Sequence, residues 1–231
     1  MMVCRKWLVA WVLGLVTLAA FASPTAPQSG VEYLTLSNPQ PTDTGNKVEV
    51  IEFFGYFCSV CNVFEPAFKE WKNQQGPNVV FKRVHVGFGA ASVPQQKLFY
   101  TLDAMSRLEE LHPKIFYAIH TEHQSLRNDE QIYEFIEKNG VNRAQFKEIY
   151  TSSAIESYTQ AATQLQAIFK IGSVPTLVID GRYVTSPAMV DKGSPNLSRA
   201  ALLSATQQVL NALVAKAKQE KTSRSIISIE R

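Results

Sequence analysis

Residues 47–54 (KVEVIEFF) run into a turn, Gly55-Tyr56-Phe57, and from there into a helical pattern; this junction constrains the fold more than any other stretch. The near-continuous apolar and β-branched residues predict a strand buried in the middle of a sheet. From Cys58 to about residue 73 apolar side chains recur at helical spacing, at Val60, Val63, Phe64, Phe68 and Trp71, and Gly76-Pro77 stops the pattern. Residues 79–86 (VVFKRVHV) predict the next strand. Strand, helix and strand in that order form a right-handed parallel unit, so the fold class is α/β.

Before this unit, residues 23–46 are rich in Pro, Ser and Thr, with one short alternating run, Tyr33-Leu34-Thr35-Leu36, that predicts an edge strand. After it the strand signal disappears over residues 93–169 and helical segments follow. Asn128-Asp129 opens one that Gly140 ends, Asn142 with Gln145 makes a capping box, and Ser152 or Ser153 opens a last one through Phe169. Strands resume at residues 176–180 and 182–185, joined across Asp180-Gly181, a preferred tight-hairpin dipeptide. An amphipathic helix over residues 197–218 closes the chain, and the last dozen residues read as a frayed basic tail.

Met1 to Ala22 read as a targeting leader. Arg5 and Lys6 precede about 14 apolar residues, and Ala20-Phe21-Ala22 supplies a small-x-small cleavage signal. The apolar run is short for a membrane span. Cleavage near Ala22 removes two bases and no acid, lowering the formal charge from +3 to +1, which gives no argument for nucleic acid or anionic lipid as partner. Cleavage also removes Cys4 and leaves two cysteines, Cys58 and Cys61, in an exported, oxidising setting.

Cys58-Ser59-Val60-Cys61 therefore carries the chemistry. A Cys-x-x-Cys at a strand-to-helix junction puts the first sulfur at the helix N-terminus, where free N–H groups and the macrodipole favour a thiolate. The second lies one turn inside, able to attack a mixed disulfide on the first while shielded from outside thiols. A structural disulfide and half a zinc site are the alternatives; the zinc reading lacks a second Cys or His pair at ligand spacing, since His85, His112, His120 and His123 are scattered. Two further features accompany the motif. Val174-Pro175 stands immediately before a strand, where a cis peptide bond is expected, and Glu52 places a carboxylate inside a largely apolar strand.

Together, Glu52-Phe53-Phe54, Cys58-x-x-Cys61, the long helical stretch, Val174-Pro175 and Asp180-Gly181 resemble the DsbA family of exported thiol:disulfide oxidoreductases, over about residues 31–218. The resemblance implies a thioredoxin fold with a helical insertion: a leader at 1–22, a flexible segment at 23–46, a thioredoxin-like domain in two parts at 47–92 and 170–220, the insertion at 93–169 and a tail at 221–231. It implies that Cys58 is the exposed nucleophile, Cys61 the buried resolving cysteine, Pro175 a cis-proline facing the disulfide, Glu52 the buried carboxylate beneath it and Arg83 a basic partner for Glu52. Pro66 falls where such helices kink. Substrate is expected along the edge beside Val174 and Pro175, and the implied activity is donation of disulfides in the periplasm to unfolded exported proteins with free cysteines. Reoxidation by a quinone-linked membrane partner of the DsbB type, a monomeric state and no metal or organic cofactor are implied as well. Isomerase or reductase activity, and a peptide-binding module with a structural disulfide, remain alternatives; periplasmic isomerases use an N-terminal dimerisation domain that residues 23–46 are too short to build. The family's best-known members carry Pro-His between the cysteines. Here Ser59 and Val60 offer a hydroxyl and an apolar branch, which points to a weaker oxidant of the same reaction class.

Overall fold

The seven residues of β2 (Val48–Phe54) are all buried, and the strand lies inside the sheet as its composition predicts. The computed structural model describes residues 24–229; the leader expected at 1–22, with its cleavage site and Cys4, lies outside them. The sheet has the order β1-β5-β4-β2-β3, with β1 at Tyr33–Thr35, β3 at Val79–His85, β4 at Thr176–Ile179 and β5 at Tyr183–Thr185. Only β2 and β3 run parallel, joined through α1 (Ser59–Gln74); β4 lies antiparallel to β2, β5 to β4 and β1 to β5. The register sets Glu52 opposite Arg83 on one side and Leu177 on the other.

Period-2 alternation divides β2 between two cores. Val48 and Val50 pack with Phe64, Phe68 and Trp71 of α1 and with Val209, Leu210 and Leu213 of the closing helix α8 (Arg199–Ile229). Ile51 and Phe53 face the other way, toward Val178, Val184, Phe169 and Ile171. Between β3 and β4 the chain forms α2 (Val93–Ala104), α3 (Leu108–His120), α4 (Asp129–Lys138), α5 (Arg143–Tyr150) and α6 (Ser153–Ile168). Asn128, Asn142 and Ser152 each cap the helix they precede, accepting from the N–H of Gln131, Gln145 and Ile155. The helical layer has its own core, built on Leu98, Leu102, Leu111, Ile115, Ile132 and Phe146, and Phe54, Tyr56 and Cys61 project into it.

Two expectations are corrected. The closing helix does not stop near residue 218 but continues to Ile229. No Gly or Pro interrupts it, and the Lys221 ammonium is seated against the carbonyl oxygens of Gly45 and Lys47 (3.0 and 2.7 Å) and the Asp180 carboxylate (2.7 Å), which fastens the turn read as frayed. A further helix, α7 (Pro187–Gly193), lies in a stretch without periodic signal; Ser186 caps it and Pro187 starts it.

Asp180 and Gly181 form the hairpin with φ of 52° and 63°, and the Gly181 carbonyl accepts from Gln40 N–H at 2.9 Å. A Cβ on Gly181 would collide with the Gln40 carbonyl oxygen. Gly181→Ala is thus expected to cost at least about 2 kcal/mol, lowering Tm by roughly 4–8 °C in thermal unfolding, because left-handed backbone and a backbone collision add. An unchanged Tm would show that residues 36–40 yield without cost.

Candidate active site

Cys58 is the N-cap of α1, with extended φ and ψ (−88° and 114°), so its sulfur faces the free N–H groups of the first turn. The Sγ accepts from Cys61 N–H at 3.1 Å, and the Cys58 thiol donates to the Val174 carbonyl at 3.3 Å. Both cysteines are free thiols, Cys58 half-buried and Cys61 buried. The donated hydrogen bond from the Cys61 thiol, helped by the N–H groups of Cys61 and Val60, outweighs burial and lowers the Cys58 pKa to about 7. Cys61 moves the other way: burial, its hydrogen bond to Cys58 and the charge there push it far above an ordinary thiol.

Why the chain turns here is local chemistry. Cys58 N–H donates to the Gly55 carbonyl at 3.0 Å, and the Phe57 ring folds back over Gly55 so closely that a Cβ there would collide with it. The buried stripe of α1 is Cys61, Phe64, Glu65, Phe68 and Trp71. Val60, read as part of it, is 51% exposed, because the stripe's spacing leaves it on the rim beside Cys58. Pro66 lies within the helix and leaves the Asn62 carbonyl without its usual partner. Opposite Cys58, the Val174-Pro175 bond is cis, as the sequence predicts, and leads directly into β4.

Beneath the helix start lies a buried ionic cluster. Arg83 Nε donates to Glu52 at 3.0 Å, and its Nη2 donates to both oxygens of Glu65, at 2.6 and 2.8 Å. The expected Glu52–Arg83 pair is therefore present, while Glu65 is an addition. Burial raises the Glu52 pKa to about 7 despite Arg83, with the Glu65 charge adding to the rise. For Glu65 burial acts in the same sense, but the contacts with His112 and Arg83 reverse it and hold the carboxyl below its ordinary value. Burial disfavours the Arg83 charge too, yet the two carboxylates overcome it and raise its pKa.

The histidines, scattered in sequence, are not scattered in space: three of the four converge on Tyr56. Its N–H donates to His85 Nε2 (3.1 Å), which fixes the His85 proton on Nδ1, donating to the Val86 carbonyl at 3.0 Å. Its carbonyl accepts from His120 Nε2 at 2.8 Å, and its hydroxyl meets His112 Nδ1 at 2.8 Å. His112 Nε2 lies 3.3 Å from Glu65 Oε2, so the cage joins the ionic cluster. Burial holds His85 neutral, its pKa pushed down to about 3. Sequence spacing held a signal for this, since His112, Phe116 and His120 fall at i, i+4 and i+8 of one helix. Among the described residues no group of three or more His, Cys, Asp or Glu could hold a metal ion.

Comparison with known proteins agrees with this geometry. The family described as DSBA-like thioredoxin domain matches residues 49–203. The thiol:disulfide interchange protein DsbA of Bordetella pertussis is 39% identical over 184 residues, 80% of this chain and 87% of that protein. DsbA of Burkholderia cepacia is 36% identical over 210 residues, 90% of this chain and 94% of its own length. A crystal structure of Pseudomonas aeruginosa DsbA matches with a TM-score of 0.75 and 29% identity, covering 84% of this chain and 95% of that one. The chain belongs to the DsbA family, and its activity is thiol:disulfide exchange.

Proposed function

We propose that Cys58 and Cys61 form the redox pair through which this protein donates disulfides to unfolded exported proteins in the periplasm. The observation that carries this reading is the opposite displacement of the two thiols, Cys58 toward the thiolate and Cys61 away from it. In the oxidised enzyme a substrate thiolate attacks Cys58 Sγ; the new bond is substrate S to Cys58 S, and the bond that breaks releases Cys61 as a thiolate. Burial opposes that charge, so Cys61 takes a proton. Glu52, with its proton affinity near neutrality, is the donor and is left as a carboxylate facing Arg83. A second substrate thiolate then attacks the substrate sulfur and displaces Cys58, which leaves as the stabilised thiolate. The substrate is oxidised by two electrons and the enzyme reduced by two.

Val174 serves substrate binding in this scheme. In the dithiol form its carbonyl accepts from Cys58 S–H; the disulfide form has no such proton, and the carbonyl is released to accept from a substrate backbone N–H beside Pro175. Backbone pairing tolerates many sequences, as a general oxidase requires. Ser59 and Val60 set the poise, Arg83 holds Glu52, and a quinone-linked membrane protein of the DsbB type reoxidises the pair. The working form is a monomer, released by cleavage near Ala22.

The test is stoichiometric. Oxidised protein mixed with a reduced, unfolded model protein should remove two substrate thiols for each pair that appears on Cys58 and Cys61; a substrate whose thiols persist overturns the reading. The poise is read separately. Iodoacetamide labelling of Cys58 should titrate near pH 7, and Val60→His should shift the midpoint lower and make the disulfide more oxidising against glutathione, through an added charge-assisted donor. An unchanged midpoint and potential would remove the dipeptide as the determinant.

A further inference from the structure

A cavity of about 300 Å³ that neither the exchange chemistry nor the Val174 edge uses is lined by Phe57, Phe88, Ala91, Ser92, Gln95 and Arg127. Phe57, the residue preceding Cys58, meets Phe88 at a ring-centroid distance of 6.0 Å and 64° between planes, and Phe88 is 44% exposed. Gln95, at the start of α2, is 1% exposed; its Nε2 donates to the Ser125 carbonyl at 3.0 Å, and its Oε1 has no partner among the described residues. Arg127 comes from the loop before α4, whose residues His123 and Leu126 hold left-handed backbone, with φ of 58° and 42°. Two non-glycine residues in that region are costly to keep, and such strain concentrates where a loop must present a side chain. Gln131 Oε1 braces the loop, accepting from Arg127 N–H (3.0 Å) and Ser125 Oγ (2.7 Å), while the Arg127 guanidinium has no ion-pair partner among the described residues.

We propose that this cavity is a side-chain subsite for the substrate polypeptide, and that it takes an aromatic residue with a hydrogen-bond donor, Tyr or Trp, placed near the reacting cysteine. The inference rests on the reading of Cys58 as the nucleophile and adds a sequence preference to it. Three chemical features select the occupant together. Aromatic edges and faces at Phe57 and Phe88 favour another ring in an edge-to-face arrangement. The Arg127 side chain in the lining favours a π face over an aliphatic chain. An acceptor at Gln95 favours a ring that ends in O–H or N–H, and a buried acceptor left unmet penalises one that does not. The Val174 edge holds the substrate backbone, and this cavity reads a side chain.

The experiment is a scan of short dithiol peptides in which Tyr, Phe or Ala is moved through the positions flanking the reacting cysteine, with kcat/KM for oxidation by the disulfide form as the readout. At one offset Tyr should exceed Ala by about tenfold, and Tyr should exceed Phe by several-fold. Phe88→Ala and Arg127→Ala, both surface changes, should bring the Tyr and Ala peptides to within about twofold of each other. The Gln95 contribution is read from Tyr against Phe peptides in the unaltered protein, because replacing Gln95 also strips the Ser125 carbonyl of its donor. Equal rates for Tyr and Ala at every offset overturn the subsite while leaving the exchange reaction intact. A preference that survives both substitutions overturns it as well. If no peptide is oxidised at any offset, the reading of the redox pair fails and the subsite fails with it.

Discussion

Cys61→Ala is expected to leave substrate proteins covalently attached to Cys58, whereas Cys58→Ala should trap none. The positions of the two sulfurs decide this. Cys58 sits at the open end of α1 with its sulfur bonded to N–H groups, and Cys61 is 1% exposed within the core shared with the helical layer. In Cys61→Ala the Cys58 thiolate attacks a disulfide already present on a substrate protein, one substrate sulfur bonds to Cys58 and the other leaves as a thiolate, and the sulfur placed to release that mixed disulfide from within is the one removed. Non-reducing gels of cells or extracts carrying each variant check this: a ladder that dithiothreitol collapses should appear for Cys61→Ala alone, with disulfide formation by either single variant abolished. A ladder on Cys58→Ala would reverse the assigned roles, and equal ladders would remove the distinction between them.

The second large effect concerns Arg83 and is one of stability. Its guanidinium is the direct partner of two buried carboxylates, so Arg83→Met should destabilise the protein by about 3–5 kcal/mol at pH 8, where both carry charge. At pH 5 the loss should be smaller, because Glu52 holds its proton in the folded state. The pH dependence of the unaltered protein has a definite sign. Glu52 titrates near 7 when folded and near its ordinary value when unfolded, so the folded state binds the extra proton between those limits, and stability falls as pH rises from about 4.5 to 7. The size of this contribution is on the order of 3 kcal/mol. His85 acts oppositely: its depressed value means that stability is lost as pH falls below about 6.5. Subtracting Glu52→Gln from the unaltered protein cancels the His85 contribution. The difference curve from urea unfolding at pH 5, 6, 7 and 8 should decline across this range and flatten above it. A flat difference throughout would mean that Glu52 titrates as an ordinary surface carboxylate.

Much of this site is legible in the sequence because its determinants are local. A helix cap is a property of four residues, and Asn128, Asn142 and Ser152 cap as their positions predict. The same holds for Cys-x-x-Cys at a strand end, Pro before a strand and Asp-Gly between two. Glu52 and Arg83 need one more step, the parallel register that sets them opposite each other. What stays hidden depends on which helix packs over which turn. Glu65 interrupts the apolar stripe of α1, but only the position of Arg83 beneath it shows that the interruption is paired. The three histidines around Tyr56 come from one strand and one distant helix, and no spacing along the chain places α3 above residue 56. The closing helix reads short in the sequence because residues 218–225 are polar throughout, and the groups that hold Lys221 come from distant positions, Gly45, Lys47 and Asp180.

The sharing of one apolar core by Phe54, Tyr56, Cys61 and the helices of residues 93–168 bears on modularity. The sheet with its two flanking helices has the outline of a smaller self-sufficient unit, which invites excision of the helical layer by a short linker from β3 to β4. Such a miniaturised protein would expose three aromatic and thiol side chains that the sheet does not cover, release Tyr56 from two of its three imidazoles, and open Glu65 and Arg83 to water. Cys61 would lose its shelter, and with it the asymmetry between the two sulfurs. Grafting the Cys58–Cys61 tetrapeptide onto another scaffold of the same outline should likewise transplant the thiols without their poise. The unit that can be moved or recombined intact is the sheet and the helical layer together.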